Sequence, residues 1–251
     1  MSSEVATVAA ALKKAKRVLV VTGAGISAES GLPTYRGVGG LYDDADTSDG
    51  IPIEVALSGQ MLETRPSLTW KYLGQIEAAC RGAKHNRAHE ILARWEKRFE
   101  SFTVLTQNVD GFHQSAGAHN VIAIHGDLHD LLCTRCAGMR RVENYEGMAL
   151  PPVCPGCGGP ERPRVVLFGE MLPMPELLRL RSVLEGGLDV VLSIGTTSVF
   201  PYIAEPVLAA RRSGGFTVEI NPGETEVSHA VNVRLRSGAL AALQQLDAAL
   251  Q

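Results

Sequence analysis

The sequence predicts an α/β fold, a doubly wound parallel sheet interrupted by a smaller domain. Three observations carry that prediction. Short, continuous apolar runs recur at 18–21, 102–105, 121–124, 165–168, 190–194 and 216–220, as expected of strands buried on both faces. Patterns of helical period lie between several of them, and strands alternating with helices build parallel sheets. Two stretches break the alternation, at about 38–85 and 128–164, and the second holds four of the five cysteines.

The chain opens on an Ala-rich helical segment from Val5 to Ala15, followed by the first strand. Asn86 is placed to cap a helix with apolar positions Ile91, Leu92, Trp95 and Phe99. A further helix is expected from Tyr202 to Arg212. A last one carries Leu240, Leu243, Leu246 and Leu250. The expected division is a Rossmann-like nucleotide-binding domain of residues 1–37, 86–127 and 165–251. A helical or cofactor-loop insertion at 38–85 and a zinc-ribbon insertion at 128–164 complete it. The acidic, Gly-containing stretch from Asp43 to Gly50 reads as a lid, because it directly follows a Gly-rich turn.

The composition excludes several classes. The 251 residues carry a formal net charge of −3, with 45% hydrophobic and 20% charged residues. This gives no electrostatic case for nucleic acid or an anionic membrane. Arg135, Arg140, Arg141, Arg162 and Arg164 cluster around the cysteines and read as a solvated face. No secretory leader and no long apolar run are visible, so the expected compartment is the cytoplasm. Oligomeric state is not legible.

Cys133-x-x-Cys136, seventeen residues, then Cys154-x-x-Cys157 has zinc-ribbon spacing. Gly156, Gly158 and Gly159 supply the turn around the second pair. Four thiolates close a tetrahedral shell and leave no position for an activated water, so the zinc is expected to be structural. Cys80 is left over and reads as a plain buried thiol.

The chemistry-bearing turns follow the apolar runs. Gly23-Ala24-Gly25-Ile26-Ser27-Ala28-Glu29-Ser30-Gly31-Leu32-Pro33-Thr34-Tyr35-Arg36-Gly37 follows the first. Small residues there let backbone N–H groups approach a diphosphate. The string lacks the G-x-G-x-x-G of dehydrogenases, and no acidic residue is well placed to hold a ribose. Gln107-Asn108-Val109-Asp110 follows the second run, His125-Gly126 the third and Gly195-Thr196-Thr197-Ser198 a later one. Together with the Cys quartet and Val165-Val166-Leu167-Phe168-Gly169-Glu170, these segments resemble the sirtuin family of NAD-dependent protein deacylases, in its bacterial type. The likeness covers nearly the whole chain.

The resemblance implies an NAD-dependent protein-lysine deacylase that yields free lysine, nicotinamide and O-acyl-ADP-ribose. In that mechanism the acyl oxygen attacks the nicotinamide ribose, and His125 is the general base for a ribose hydroxyl. Asn108 orients the ribose and a water, and Asp110 binds the nicotinamide amide. The NAD contacts carried over are Gly23, Ala24, Gly25, Ala28, Glu29, Pro33, Tyr35, Arg36, Gln107, Asn108, Asp110, Gly195, Thr196, Thr197, Ser198, Asn221, Pro222 and Gly223. Acyl-lysine proteins or peptides are the expected partners, held by Val166, Phe168, Gly169 and Glu170 with a second loop around Val199-Phe200-Pro201, as an added strand. Tyr35 stands where this string more often has phenylalanine. Leu73 and Ile76 fall where one sirtuin class, which removes succinyl and malonyl groups, carries a tyrosine and an arginine. Two apolar residues there predict a preference for uncharged acyl groups. The competing readings are an NAD glycohydrolase or ADP-ribosyltransferase using the same cleft, and a non-catalytic NAD-binding module.

Overall fold

A computed structural model describes residues 2–32 and 47–251. The first helix, α1 (Ser3–Lys14), is capped by the Ser2 hydroxyl, which accepts from the Val5 amide, and carries Glu4 in its first turn and lysines in its last. Both charges complement the helix dipole. The strand β1 (Arg17–Thr22) follows and is buried after its first residue.

The chain then passes through helices α2 (Ile53–Ala56), α3 (Gly59–Thr64), α4 (Pro66–Cys80) and α5 (Arg87–Trp95). Asn86 caps α5 as expected, in a reciprocal box with His89. Next come β2 (Ser101–Thr106), α6 (Phe112–Ser115), β3 (Val121–Ala123), β4 (Gly126–Cys133), β5 (Met139–Arg141) and β6 (Glu161–Val165). The last third contains α7 (Met174–Glu185), β7 (Val190–Ile194), α8 (Pro201–Arg212), β8 (Phe216–Ile220), β9 (Val233–Leu235) and α9 (Ala239–Leu250). No helix among the described residues is long and apolar enough to cross a membrane.

Six strands form one parallel sheet in the order β3-β2-β1-β7-β8-β9. Numbered within that sheet alone, the order is 3-2-1-4-5-6, which reverses direction between β1 and β7. Such a switch point opens a crevice at the carboxyl ends of the strands. Apolar side chains cover both faces. Val18, Val20, Val104, Leu192 and Val218 pack toward α1, α5 and α9. Leu19, Val21, Leu105, Ile122 and Val191 pack toward α7 and α8.

The apolar run at 165–168 is not a strand of this sheet. The strand there is β6, which ends at Val165 and pairs antiparallel with β4 in a separate sheet, β5-β4-β6. The reason is local: Glu161, Pro163 and Val165 alternate inward, so the buried face follows period 2 through a charged, Pro-containing stretch. Beyond Val165 the chain leaves the sheet, and Phe168 makes only a bridge to Ser58.

The two insertions share one hydrophobic core. Ile53, Leu57, Leu68, Trp70, Leu73 and Ile76 from the helical stretch pack with Leu128, Leu131, Tyr145, Val165 and Leu167 from around the small sheet. The five arginines of that region are all engaged. Arg140 pairs with Glu161, Arg141 with Asp127 and Asp130, Arg162 with Glu170, and Arg164 with Glu176. Arg135 donates to the Cys157 carbonyl. The cluster is thus an ion-paired face. Cys80, at the end of α4, is half-buried, and burial pushes its thiol up to about 11, as befits an inert structural cysteine.

Candidate functional site

The switch point brings two glycine turns against each other. The Gly25 amide donates to the Gly195 carbonyl at 2.9 Å. A Cβ on Gly25 would lie 2.6 Å from the Gly195 Cα, and a Cβ on Gly195 would lie 2.6 Å from the Gly25 carbonyl carbon. Gly195 also has φ +59°, in the left-handed region. Gly195→Ala is therefore expected to cost at least about 2 kcal/mol of stability and to weaken ADP-ribose binding. Thermal melting and calorimetric titration check the two effects.

Around this contact the polar residues from four strand ends converge. Gln107 Nε2 donates to Thr196 Oγ1 at 2.7 Å, and Asn221 Nδ2 donates to the Thr196 carbonyl at 3.1 Å. Thr196 thus ties the turn after β2 to those after β7 and β8. The Asn221 side-chain oxygen Oδ1 in turn accepts from the Gly223 amide, next to exposed Pro222. Asn108 is buried, and its Nδ2 donates to the Gly23 carbonyl and to Ser27 Oγ at 3.1 and 3.2 Å. Ser27 Oγ donates to Asp110 at 2.7 Å, and the other Asp110 oxygen accepts from the Phe112 amide. Burial pushes the Asp110 carboxyl above the usual carboxylate range.

Beneath this layer lies a histidine pair that the sequence did not single out. His113 Nε2 meets Thr22 Oγ1 at 3.0 Å, and the His89 and His113 rings are 4.9 Å apart. Burial holds His89 at about 4 and His113 well below the ordinary histidine value, so both are neutral. They read in the sequence as two ordinary helix residues, since only their depth distinguishes them.

His125 stands at the edge of the crevice, just past β3. Its Nδ1 lies 3.0 Å from the Gln107 carbonyl. A carbonyl can only accept, so Nδ1 carries the proton and Nε2 is left as the basic nitrogen. Burial lowers the pKa of His125, against the opposing pull of the Gln107 hydrogen bond. The imidazole is therefore neutral at pH 7 and able to accept a proton. Its Nε2 meets the Tyr202 hydroxyl at 2.7 Å, a contact not anticipated from the sequence. The available signal was weak: Tyr202 follows Pro201 at the start of a helix that leaves a strand-end turn.

The remaining expected residues divide. Ala24 and Gly25 are half-buried at the crevice, while Ala28, Glu29 and Thr197 are exposed at its rim. Ser198 is only 1% exposed and turns its side chain toward Ser193, with φ +56°. Its hydroxyl thus faces the interior. Pro33, Tyr35, Arg36 and the first half of the expected lid, residues 43–46, lie outside the described residues. Val166, Phe168, Gly169 and Glu170 run along the border between the two sheets, where the Val166 amide donates to the His125 carbonyl. Leu73 and Ile76 are buried on α4, at 2% and 4% exposure.

The sulfurs of Cys133, Cys136, Cys154 and Cys157 all lie within 4.8 Å of one another. The Cys133–Cys157 and Cys136–Cys154 separations are 3.5 and 3.8 Å. A tetrahedron with Zn–S arms of ~2.3 Å has edges of ~3.8 Å, so four thiolates in this arrangement fit zinc. A Cβ on Gly159 would lie 2.7 Å from the Arg135 Cβ and 3.1 Å from the Cys133 sulfur, so the turn needs glycine there.

A Sir2 family model matches residues 23–201, a span that runs from the first glycine turn to the start of α8. The chain belongs to the Sir2 family. Among its relatives, this Sir2-family chain is 51% identical over 247 residues to NAD-dependent protein deacylase 2 of Pseudomonas aeruginosa, covering 97% of this chain and 96% of that protein. The Pseudomonas syringae protein of the same name is also 51% identical, over 95% of this chain and 97% of the relative. Among solved structures, a mutant Sir2 homologue in complex with ADP-ribose superposes with a TM-score of 0.88 at 33% identity, covering 100% of this chain and 96% of that one. A Sir2 homologue–NAD complex gives 0.87 at 33% identity, covering 98% and 93%.

Proposed function

We infer that this Sir2-family chain is an NAD-dependent protein-lysine deacylase. The observation that carries the inference is His125, a neutral imidazole held in the Nδ1–H tautomer at the mouth of the switch-point crevice. A module that only bound NAD would need the glycine turns but not an oriented base. When bound, NAD supplies the electrophilic ribose carbon and the acceptor for the acyl group. The protein's own part is to cradle, orient and deprotonate. Gly23, Ala24, Gly25 and the turn from Gly195 to Ser198 receive the diphosphate side, with Asn221 toward the adenosine. Asn108, fixed by Gly23 and Ser27, orients the ribose, and Asp110 meets the nicotinamide amide. His125 accepts the ribose hydroxyl proton.

Residues 1–37, 86–127 and 165–251 form the nucleotide-binding part on this reading, supported by their own two apolar clusters. Residues 38–85 and 128–164 form the second part, supported by the cluster they share, which also takes in Val165 and Leu167 at the junction. The free cysteines, with no disulfide among the described residues, fit a cytoplasmic setting.

Acyl-lysine peptides are the substrate class. A Sir2 structure with a p53 peptide and NAD superposes with a TM-score of 0.83 at 27% identity. In this chain the Phe168 amide and carbonyl are already bonded to Leu57 and Gly59. The Leu167 amide and carbonyl are bonded to the Glu170 carboxylate and amide, and Gly169 occupies the left-handed position of that turn at φ +79°. The resemblance implies a peptide strand beside this segment and the loop carrying exposed Val199 and Phe200, and on that reading the Glu170 bonds to Leu167 open when the peptide pairs.

Leu73 and Ile76 are apolar and buried, so a carboxylate-bearing acyl group would lose its hydration without gaining a cation. Succinyl-lysine is expected to react with a kcat/KM at least about 100-fold below that of acetyl- or butyryl-lysine. A mass-spectrometric assay over acetyl, propionyl, butyryl, crotonyl, longer-chain and succinyl peptides checks this. Succinyl removal on a par with acetyl would contradict it. Nicotinamide release without acyl loss would indicate a glycohydrolase or ADP-ribosyltransferase instead.

A further inference from the structure

The Tyr202 hydroxyl sits on the one nitrogen of His125 that the reaction needs. Nδ1 is protonated toward Gln107, so the 2.7 Å contact at Nε2 is a phenol O–H donating to the base's lone pair. We propose that Tyr202 is a positioning residue that caps the base in the ligand-free enzyme, its phenol occupying the His125 Nε2 lone pair until a ribose hydroxyl of NAD takes its place. The proposal rests on the deacylase reading for the identity of the displacing group, but not for the cap itself.

Three features of the fold support it. The Tyr202 ring is stacked on Phe200 at 5.5 Å, and both rings meet His125 edge-on, at 5.8 and 6.0 Å. The phenol is thus aimed by an aromatic stack. The second feature is that its carrier can yield. Pro206 lies four residues further along α8 and has no amide to give the Tyr202 carbonyl, so the first turn is held by one backbone hydrogen bond fewer than an ordinary helix. The third is that the hydroxyl stays a donor: burial raises the phenol pKa to about 12.

Other charged groups around His125 are engaged elsewhere. In the turn after β2, Asp110 accepts from Ser27 and Phe112. At the start of β4, Asp127 is held by His129 and Arg141. In the segment beyond β6, Glu170 is paired with Arg162, and on α8 Glu205 is paired with Arg212. Among the described residues, Tyr202 is therefore the titratable group whose side chain meets the imidazole directly. A hydrogen bond donated to the lone pair stabilises neutral imidazole, so it lowers the pKa of His125. Removing the hydroxyl raises that pKa.

The test is Tyr202→Phe, read first by 15N–1H NMR titration of the histidine side chains in the ligand-free protein, with His125 assigned by the signal lost in His125→Asn. The expected result is a His125 midpoint about half to one pH unit higher in Tyr202→Phe, the size of one net hydrogen bond. Tyr202→Leu, which also lacks the hydroxyl, must shift in the same direction. An unchanged midpoint in folded variants overturns the cap, whatever the enzyme's activity. The second reading is kinetic. The acid limb of kcat/KM, which reports the free enzyme, should move up by the same amount in Tyr202→Phe. The limb of kcat, which reports the complex, should coincide with that of the wild type. Equal movement of both limbs would overturn the displacement. No NAD-dependent acyl removal by the wild type would sink the deacylase reading and leave the NMR result to decide the cap.

Discussion

His125→Ala is expected to lower kcat/KM for acyl-lysine removal by about 100- to 10,000-fold, the range general-base catalysis supplies. The size follows from how little else can do the job. His89 and His113, the other histidines behind the crevice, are sealed in the interior and held neutral by burial. Asp110 spends its oxygens on Ser27 and the Phe112 amide. The wild-type acid limb of kcat/KM should lie below pH 6.5, because burial lowers the His125 pKa and activity is lost only once the imidazole takes up a proton. The variant should keep its melting temperature within a few degrees, since His125 is only half-buried. It should also still bind ADP-ribose, whose proposed cradle is the backbone of the Gly25 and Gly195 turns. Initial rates across pH 5–9 and a calorimetric titration separate these effects.

The second large effect is expected from the metal. Stripping zinc, or changing Cys133 to Ser, should lower the melting temperature by about 10 °C or more. Structural zinc contributes about 10–16 kcal/mol in small zinc modules, and even a third of that is worth this shift in a chain of 251 residues. The damage should not stay local. Cys133 ends β4, and β4 and β6 pack Leu128, Leu131 and Val165 against Trp70, Leu73 and Ile76 of α4. Loss of the metal should thus loosen the packing around Leu73 and Ile76, the proposed acyl side, and activity should fall although all four coordination positions are thiolates. Replacement with cobalt distinguishes this from a catalytic role. The cobalt protein should show thiolate charge-transfer absorption and a kcat close to that of the zinc protein. A kcat that tracks the identity of the metal would mean an open, catalytic shell.

Much of this architecture was legible because its signals are local. Five of the six apolar runs became strands of the parallel sheet, because a strand buried on both faces has to be apolar at every position. Asn86 announced α5 because a cap is a contact over three residues. The Cys quartet and the strand-end turns were legible for the same reason, chemistry written as fixed spacing. What escaped the sequence was decided by distant partners. β9 is three residues long and is a strand only because β8 lies beside it. The run at 165–168 resembled a core strand, yet β4 recruited the charged residues before it. The Tyr202–His125 contact spans 77 residues, and the burial of Ser198 follows from a left-handed turn that no composition announces.

Product accounting tests His125-dependent deacylation by this protein. Wild-type protein, NAD and an acetyl- or butyryl-lysine peptide are incubated together, and peptide, nicotinamide and ADP-ribose species are quantified by mass spectrometry. The expected result is one free lysine, one nicotinamide and one O-acyl-ADP-ribose per turnover, all lost together in His125→Ala. Nicotinamide with unacylated ADP-ribose and an intact acyl peptide would contradict it.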